Sequence, residues 1–135
     1  MAATFRLEVA TPDRLLIQED VSDAQVPGAG GALGILPEHS PLISELGNGE
    51  LSYTTGGRRH SVVVHSGWVE VQPDAVRVLA NRAERPDEID VERARQALKR
   101  AQDRISKLGP EVDLARALNA LKRAQARLTA KQVSH

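Results

Sequence analysis

The spacing of apolar residues changes once along this chain, at Arg85-Pro86-Asp87, and that change rules out a uniform architecture. Before it, apolar and polar residues nearly alternate in short runs broken by turn residues. Phe5-Arg6-Leu7-Glu8-Val9 alternates cleanly and ends at Thr11-Pro12-Asp13. Leu15 to Ile17 and Ala24 to Val26 are further short strands, the second closing at Pro27-Gly28. Gly47-Asn48-Gly49 and Gly56-Gly57 bracket Glu50 to Thr54 as a strand between turns, and Ser61 to His65, Trp68 to Gln72 and Ala75 to Leu79 follow. Period-two runs bounded by such residues are half-buried strands. Many of them at close spacing predict an antiparallel sandwich or barrel, and a stretch this short would make two small sheets packed face to face.

Beyond the switch, apolar residues fall at Ala94, Leu98, Ala101, Ile105 and Leu108, in steps of four and three. That is one helical seam. Asp90 can cap it and Gly109-Pro110 stops it. Asp113 is a second cap, ahead of a helix with Leu114, Leu118, Leu121 and Leu128 on one stripe and Ala117, Ala120 and Ala124 on the next. The short connection predicts an antiparallel pair. The fold class is α+β: an N-terminal antiparallel β-sandwich over residues 1–86, then a C-terminal antiparallel two-helix hairpin over residues 87–135. At about 25 cal/mol per Å2 of apolar burial, an alanine-rich hairpin is only marginally stable alone. It is expected to depend on a partner or ligand, and therefore to move.

Composition narrows the function. One Phe, one Tyr and one Trp leave an aliphatic core and no aromatic platform for single-stranded nucleic acid. Trp68 and Tyr53 are assigned to core or sheet packing. Without cysteine there are no disulfides or thiolate metal sites, which suits a reducing compartment. No apolar stretch reaches the roughly 20 residues of a membrane span. The N-terminus lacks a targeting pattern, so a membrane link is expected only through partners. The net charge of zero is unevenly spread. Residues 1–86 hold seven Lys/Arg against eleven Asp/Glu, and residues 87–135 the reverse, eleven against seven. Five basic and no acidic residues follow Asp113. Such a tail is either a solvated helix face or a surface for an anionic ligand or acidic partner.

Two segments stand out: Gly31-Ala32-Leu33-Gly34-Ile35-Leu36-Pro37-Glu38-His39-Ser40-Pro41-Leu42 and Ile89-Asp90-Val91-Glu92-Arg93-Ala94. Together with Ser66 to Val71 and Ala80 to Glu84, they resemble the epsilon subunit (delta in mitochondria) of F-type ATP synthases, from Phe5 to about Leu128. The resemblance implies a non-catalytic subunit at the foot of the central stalk. Its sandwich would bind the gamma subunit and touch the c-ring, with Gly34, Glu38 and His39 as contact residues. His39 also has a plain loop reading. Many relatives carry acidic residues where this chain has Gly28 to Ala32, so a polar c-ring contact is expected from backbone groups or Glu38. The hairpin would fold down on the sandwich to permit turnover, or extend toward the catalytic alpha/beta hexamer to block hydrolysis, its basic helix meeting an acidic motif there. Without a targeting segment, the expected location is the cytoplasmic face of a bacterial plasma membrane, peripheral to it.

Some relatives bind ATP in the folded-down state through an Ile/Leu-Asp-x-x-Arg-Ala motif, matched here in full. The resemblance maps the site to Glu84, Ile89, Asp90, Arg93, Ala94, Arg100, Arg123 and Arg127. It implies ATP as a regulatory ligand, with no cofactor required and no metal site. Forked guanidinium donors suit phosphate oxygens. Asp90 is equally an ordinary helix cap. Helical phase sets Arg123 opposite the Leu114, Leu118 and Leu121 stripe, so it reaches a shared site only if the helix packs through its alanines. Gly28 to Gly34 lacks the Lys-Ser/Thr end of a phosphate-binding loop, so hydrolysis is not expected. Two rival readings remain. One is a free-standing ATP-sensing module, which would not need Gly31 to Leu42. The other is a metal-dependent jelly-roll enzyme built on His39, His60 and His65. Its weakness is that His60 and His65, five apart, point to opposite faces of a continuous strand.

Overall fold

A computed structural model describes residues 3–107 and 113–133, with the side chains of residues 132 and 133 outside the description. Seven strands come first: β1 (Phe5–Ala10), β2 (Leu15–Val21), β3 (Asp23–Gly28), β4 (Gly31–Ile35), β5 (Leu42–Thr55), β6 (Arg58–Val71) and β7 (Ala75–Glu84). A 3-10 turn at Pro86–Glu88 leads to α1 (Val91–Ser106) and then α2 (Leu114–Val133). The strands form one hydrogen-bonded series in the order β2-β1-β7-β6-β5-β3-β4. Folded over on itself, the series encloses a single core to which every strand contributes, from Leu7 and Val9 to Ile35, Leu51, Val64 and Val78.

Three features differ from expectation. Gly47-Asn48-Gly49 is not a turn but the middle of the 14-residue β5. Ser61 to His65 and Trp68 to Val71 are likewise parts of one 14-residue strand, β6, with Gln72 just beyond its end. The bend between them is local: Ser66 and Gly67 take positive φ values of 57° and 131° while the β5–β6 register holds on both sides. Gly67 is required there, because a Cβ would run into the Leu79 carbonyl oxygen on β7. The third difference is that β1 runs parallel to β7, in an otherwise antiparallel sheet. Gly56 and Gly57 do form the expected turn, with φ 57° and 76°, the mirror-image hairpin geometry that matches strand twist.

The helical stripes resolve unequally. On α1 the expected seam is inward, with Ala94 and Ala101 buried and Leu98 and Ile105 half-buried. Leu108 and the Gly109-Pro110 stop lie outside the described residues. On α2 the alanines win: Ala117, Ala124, Ala126 and Ala130 are buried, whereas Leu114 and Leu118 are 44% and 39% exposed. A small side chain lets the backbones approach closely, and leucine at those positions would hold them apart. α1 packs chiefly on α2, and α2 also packs on β5 and β6. The hairpin is thus folded back on the sandwich, through a small cluster of Val63, Ile89, Ala126 and Ala130.

Candidate functional site

The end of β7 and the linker after it set the position of α1. Glu88 accepts hydrogen bonds from the Arg85 backbone N–H and from Arg14 Nη2, both at 2.8 Å. Arg85 donates to the Leu16 carbonyl at 2.9 Å. These contacts pin the 3-10 turn to the β2 side of the sandwich. Two residues later, the Asp90 carboxylate caps α1 by accepting from the Arg93 N–H at 3.1 Å. The cap reading of Asp90 is therefore realised through one oxygen.

Between β7, α1 and α2 lies a cleft of about 640 Å3. It collects Glu84, Asp90, Arg93, Ala94, Arg100, Arg123 and Arg127 from the mapped set. Arg123 arrives because α2 packs through its alanines. Ile89 is not brought in; it is buried under α2 against Val63, where it fastens the hairpin. Two further arginines line the cleft that the sequence reading omitted, Arg82 and Arg104. Both were within reach of pattern. Arg82 is two residues from Glu84 and shares its face of β7, and Arg104 is one helical turn beyond Arg100.

Charge in this cleft is unbalanced. Among the described residues, Arg82, Arg93, Arg100, Arg104 and Arg123 make no ion pair. Arg123 is held below its ordinary pKa by burial and by the guanidiniums of Arg127, Arg82 and Arg116. Arg127 is the exception: its Nε donates to Glu84 Oε1 at 2.7 Å, and His65 Nε2 lies 3.1 Å from the same oxygen. The His65 hydrogen bond, and then Arg127, hold the Glu84 carboxyl down to about 2 against the opposing effect of burial. Six arginines from three elements thus line the cleft against three carboxylates, Glu84, Glu88 and Asp90, a surplus of positive charge whose forked donors suit an anion with several negative oxygens.

A second surface lies on the outer face of the sheet. Of the two places assigned to Trp68, core or sheet, it is not in the core; it stands on the sheet surface, 57% exposed, while Tyr53 is buried and stacked on His60. Alternation explains this, since Val69 and Val71 take the inner face and leave Trp68 with Glu70 on the outer one. The pairing register then aligns Trp68 with Leu79, Leu79 with Ala10, and Ala10 with Leu15, an apolar row across four strands, with exposed Ile43 diagonal to Trp68. A polar row of Glu70, Arg77 and Glu8 runs beside it.

The other mapped contacts sit in the β4–β5 region. Gly34 is an exposed residue of β4 paired with Gln25. Exposed Glu38 has φ 65°, and its N–H donates to the Pro73 carbonyl at 2.8 Å. His39 Nδ1 is 2.8 Å from the Ser40 carbonyl, which orients its ring within the loop. His60 and His65 point to opposite faces of β6, as their spacing requires. Among the described residues there is no cluster of His, Asp and Glu suited to a metal ion, and no helix is long and apolar enough to cross a membrane.

A β-sandwich followed by two long helices is an architecture that known proteins share. Residues 4–86 match the family model for the beta-sandwich domain of the ATP synthase delta/epsilon chain, and residues 87–132 match that for its long alpha-helix domain. The chain is 52% identical over 110 residues to the ATP synthase epsilon chain of Koribacter versatilis, covering 82% of this chain and 78% of that one. It is 53% identical over 102 residues to that of Solibacter usitatus, covering 76% of each. Its fold is similar to a chain in the Euglena gracilis mitochondrial ATP synthase OSCP/F1/c-ring assembly, with TM-score 0.82 and 25% identity, covering 96% of this chain and 82% of that one. The chain belongs to the delta/epsilon family, as an epsilon-type subunit of the central stalk of an F-type ATP synthase.

Proposed function

We propose that this subunit couples and regulates the motor without catalysing a reaction itself. In this reading the sandwich binds the gamma subunit, touches the c-ring, turns with both, and helps couple proton flow to ATP synthesis at the cytoplasmic face of a bacterial membrane. The hairpin is the brake: folded down it permits hydrolysis, and extended toward the alpha/beta hexamer it blocks it. ATP in the cleft holds the brake off.

The observation that carries the reading is the set of five cleft arginines without an ion-pair partner among the described residues. They come from β7, α1 and α2, and so face one another only while the hairpin is down. A polyphosphate that bridges them binds that state alone, and stabilises it by mass action, by about 2.7 kcal/mol when ATP is at 100 times its Kd. The test is hydrolysis by the assembled complex across an ATP range, with Arg123→Gln and Asp90→Ala variants. Inhibition of the parent is expected to fade as ATP rises, and that of the variants to persist. Variants with the parent's ATP dependence would remove ATP gating.

The apolar row supports the gamma contact independently. Exposed apolar side chains aligned across four strands mark a docking face. Trp68→Glu with Leu79→Glu is expected to abolish co-purification with a gamma subunit and leave the subunit's own melting midpoint unchanged. Co-purification at the parent's yield would place gamma elsewhere.

A further inference from the structure

The contact that fastens the hairpin contains a buried imidazole to which the reading above gives no task. His65 lies on the outer face of β6 beneath α2, with 3% of its surface exposed. Its Nε2 faces Glu84 Oε1 at 3.1 Å, the same oxygen that accepts the 2.7 Å bond from Arg127 on α2. Because Glu84 stays ionised down to about pH 2, Nε2 carries the hydrogen and donates it. Nδ1 of the neutral ring is then an acceptor, and it has no hydrogen-bond partner among the described residues.

We propose that His65, Glu84 and Arg127 form a proton-operated latch, in which the neutral imidazole keeps the hairpin down and a proton on it lets the hairpin go. The surroundings of the ring decide the direction. β7 presents Glu84 and Arg82, the latter the register partner of His65. α2 presents Arg127 and Arg123, and α1 faces them across the cleft with Arg93, Arg100 and Arg104. β5 contributes the neutral Asn48 opposite His65 and, two residues on along the same face, Glu50. Glu84 is the sole carboxylate bonded to the ring, and Arg127 already shares it. A protonated His65 therefore becomes a buried cation beside two guanidiniums, and its Nδ1–H finds no acceptor among the described residues.

Burial pushes the His65 pKa below its ordinary value, and Arg127 and Arg123 push the same way, while the bond to Glu84 opposes them without reversing the shift. When α2 lifts away, burial and both guanidiniums go with it, and the ring returns toward about 6.5. The released state then binds the proton more tightly, so docking is strongest above that value and weakens as pH falls through it. The ratio of docked to released hairpin should fall at most about tenfold between pH 7.5 and 5.5. The latch rests on the mobile-hairpin reading and deepens it, since an anion among the arginines and a proton on His65 act in opposite directions.

The chain has no cysteine, so Arg58→Cys and Thr129→Cys, at exposed positions at the start of β6 and on α2, place a donor and an acceptor dye on the full-length subunit. Energy transfer is expected to drop on acidification from pH 7.5 to 5.5, in step with titration of the His65 Cε1–H resonance. With His65→Gln, whose amide still donates to Glu84, transfer should stay level. Transfer that does not change with acid, or that drops equally in the glutamine variant, overturns the latch. A third variant, Glu84→Gln at pH 7.5, separates the two ideas. If it lowers transfer where acid does not, the hairpin moves but protons do not trigger it. If neither lowers transfer, the mobile hairpin itself fails. Should the His65→Gln chain not fold, titration of the parent ring without loss of transfer is the overturning result.

Discussion

The sandwich and the hairpin bury themselves with different side chains. Inside the sandwich the fully buried positions are Leu7, Val9, Val21, Val26, Leu51, Val62 and their neighbours, branched chains from strands far apart in sequence. In the hairpin the buried positions among the described residues are alanines, and its buried apolar seat on the sandwich is the small cluster of Val63, Ile89, Ala126 and Ala130. A buried Val or Leu contributes roughly 1.5–3 kcal/mol, and each CH2-sized increment about 0.8 kcal/mol. The apolar seat of the hairpin therefore contributes much less than the core of the sandwich, as the proposed release of the hairpin requires. What the seat lacks in area it replaces with placement: Glu84 on the sandwich and Arg127 on α2 meet in a single geometry.

The comparison breaks most visibly in the sandwich core. Leu51→Ala is expected to cost about 2–5 kcal/mol, and thermal melting should show sheet and helix signals lost together at a lower midpoint. The hairpin should respond differently. Ala124→Leu inserts volume into a closely packed seam, at a cost of about 1–3 kcal/mol. Helix protection in hydrogen exchange should fall while strand protection is retained. Loss of both in parallel would mean that the two regions are one cooperative unit.

Glu84→Gln comes next, at about 1–2 kcal/mol for a charged hydrogen bond that keeps about one-fifth of its surface exposed. Its effect also has a pH signature. Glu84 is held near 2 in the folded chain, against an ordinary 4.5. Its stabilisation is complete above 4.5 and is lost as pH falls from there toward 2. Of that loss, the part carried by Arg127 should appear as weakened helix docking in this acid window, and the glutamine variant should lose the dependence.

Periodicity was enough to divide the chain at Pro86 and to find the α1 seam, because helix and strand repeats are local properties. The bend at Ser66-Gly67 was not readable in that way. A glycine inside a strand looks like a turn until the strand across from it, here Leu79 on β7, is known to pass through the space of its missing Cβ. The parallel seating of β1 on β7 has the same character, since no local pattern encodes a partner some 70 residues away. The cleft was half visible. Motif resemblance indicated Arg93, Arg100, Arg123 and Arg127, and strand and helix spacing could have added Arg82 and Arg104. Arg123, however, faces the others only because α2 chose its alanine stripe over its leucines. That choice depends on how closely two backbones can approach, which hydrophobic scales alone do not weigh.

The smallest expected effect tests what the rejected stripe is for. Leu114 and Leu118 sit exposed on the first turns of α2 while the hairpin is down. Replacing both with Gln should change the stability of the isolated subunit by no more than about 0.5 kcal/mol, as for surface positions in general. In the assembled complex, an extended helix would have these leucines available to bury against its neighbours. The double variant should then inhibit hydrolysis less than the parent, with cleft binding and subunit melting unchanged. If inhibition is also unchanged, the leucine stripe has no partner in the extended state, and the basic face of α2 is left as the part that holds the brake on.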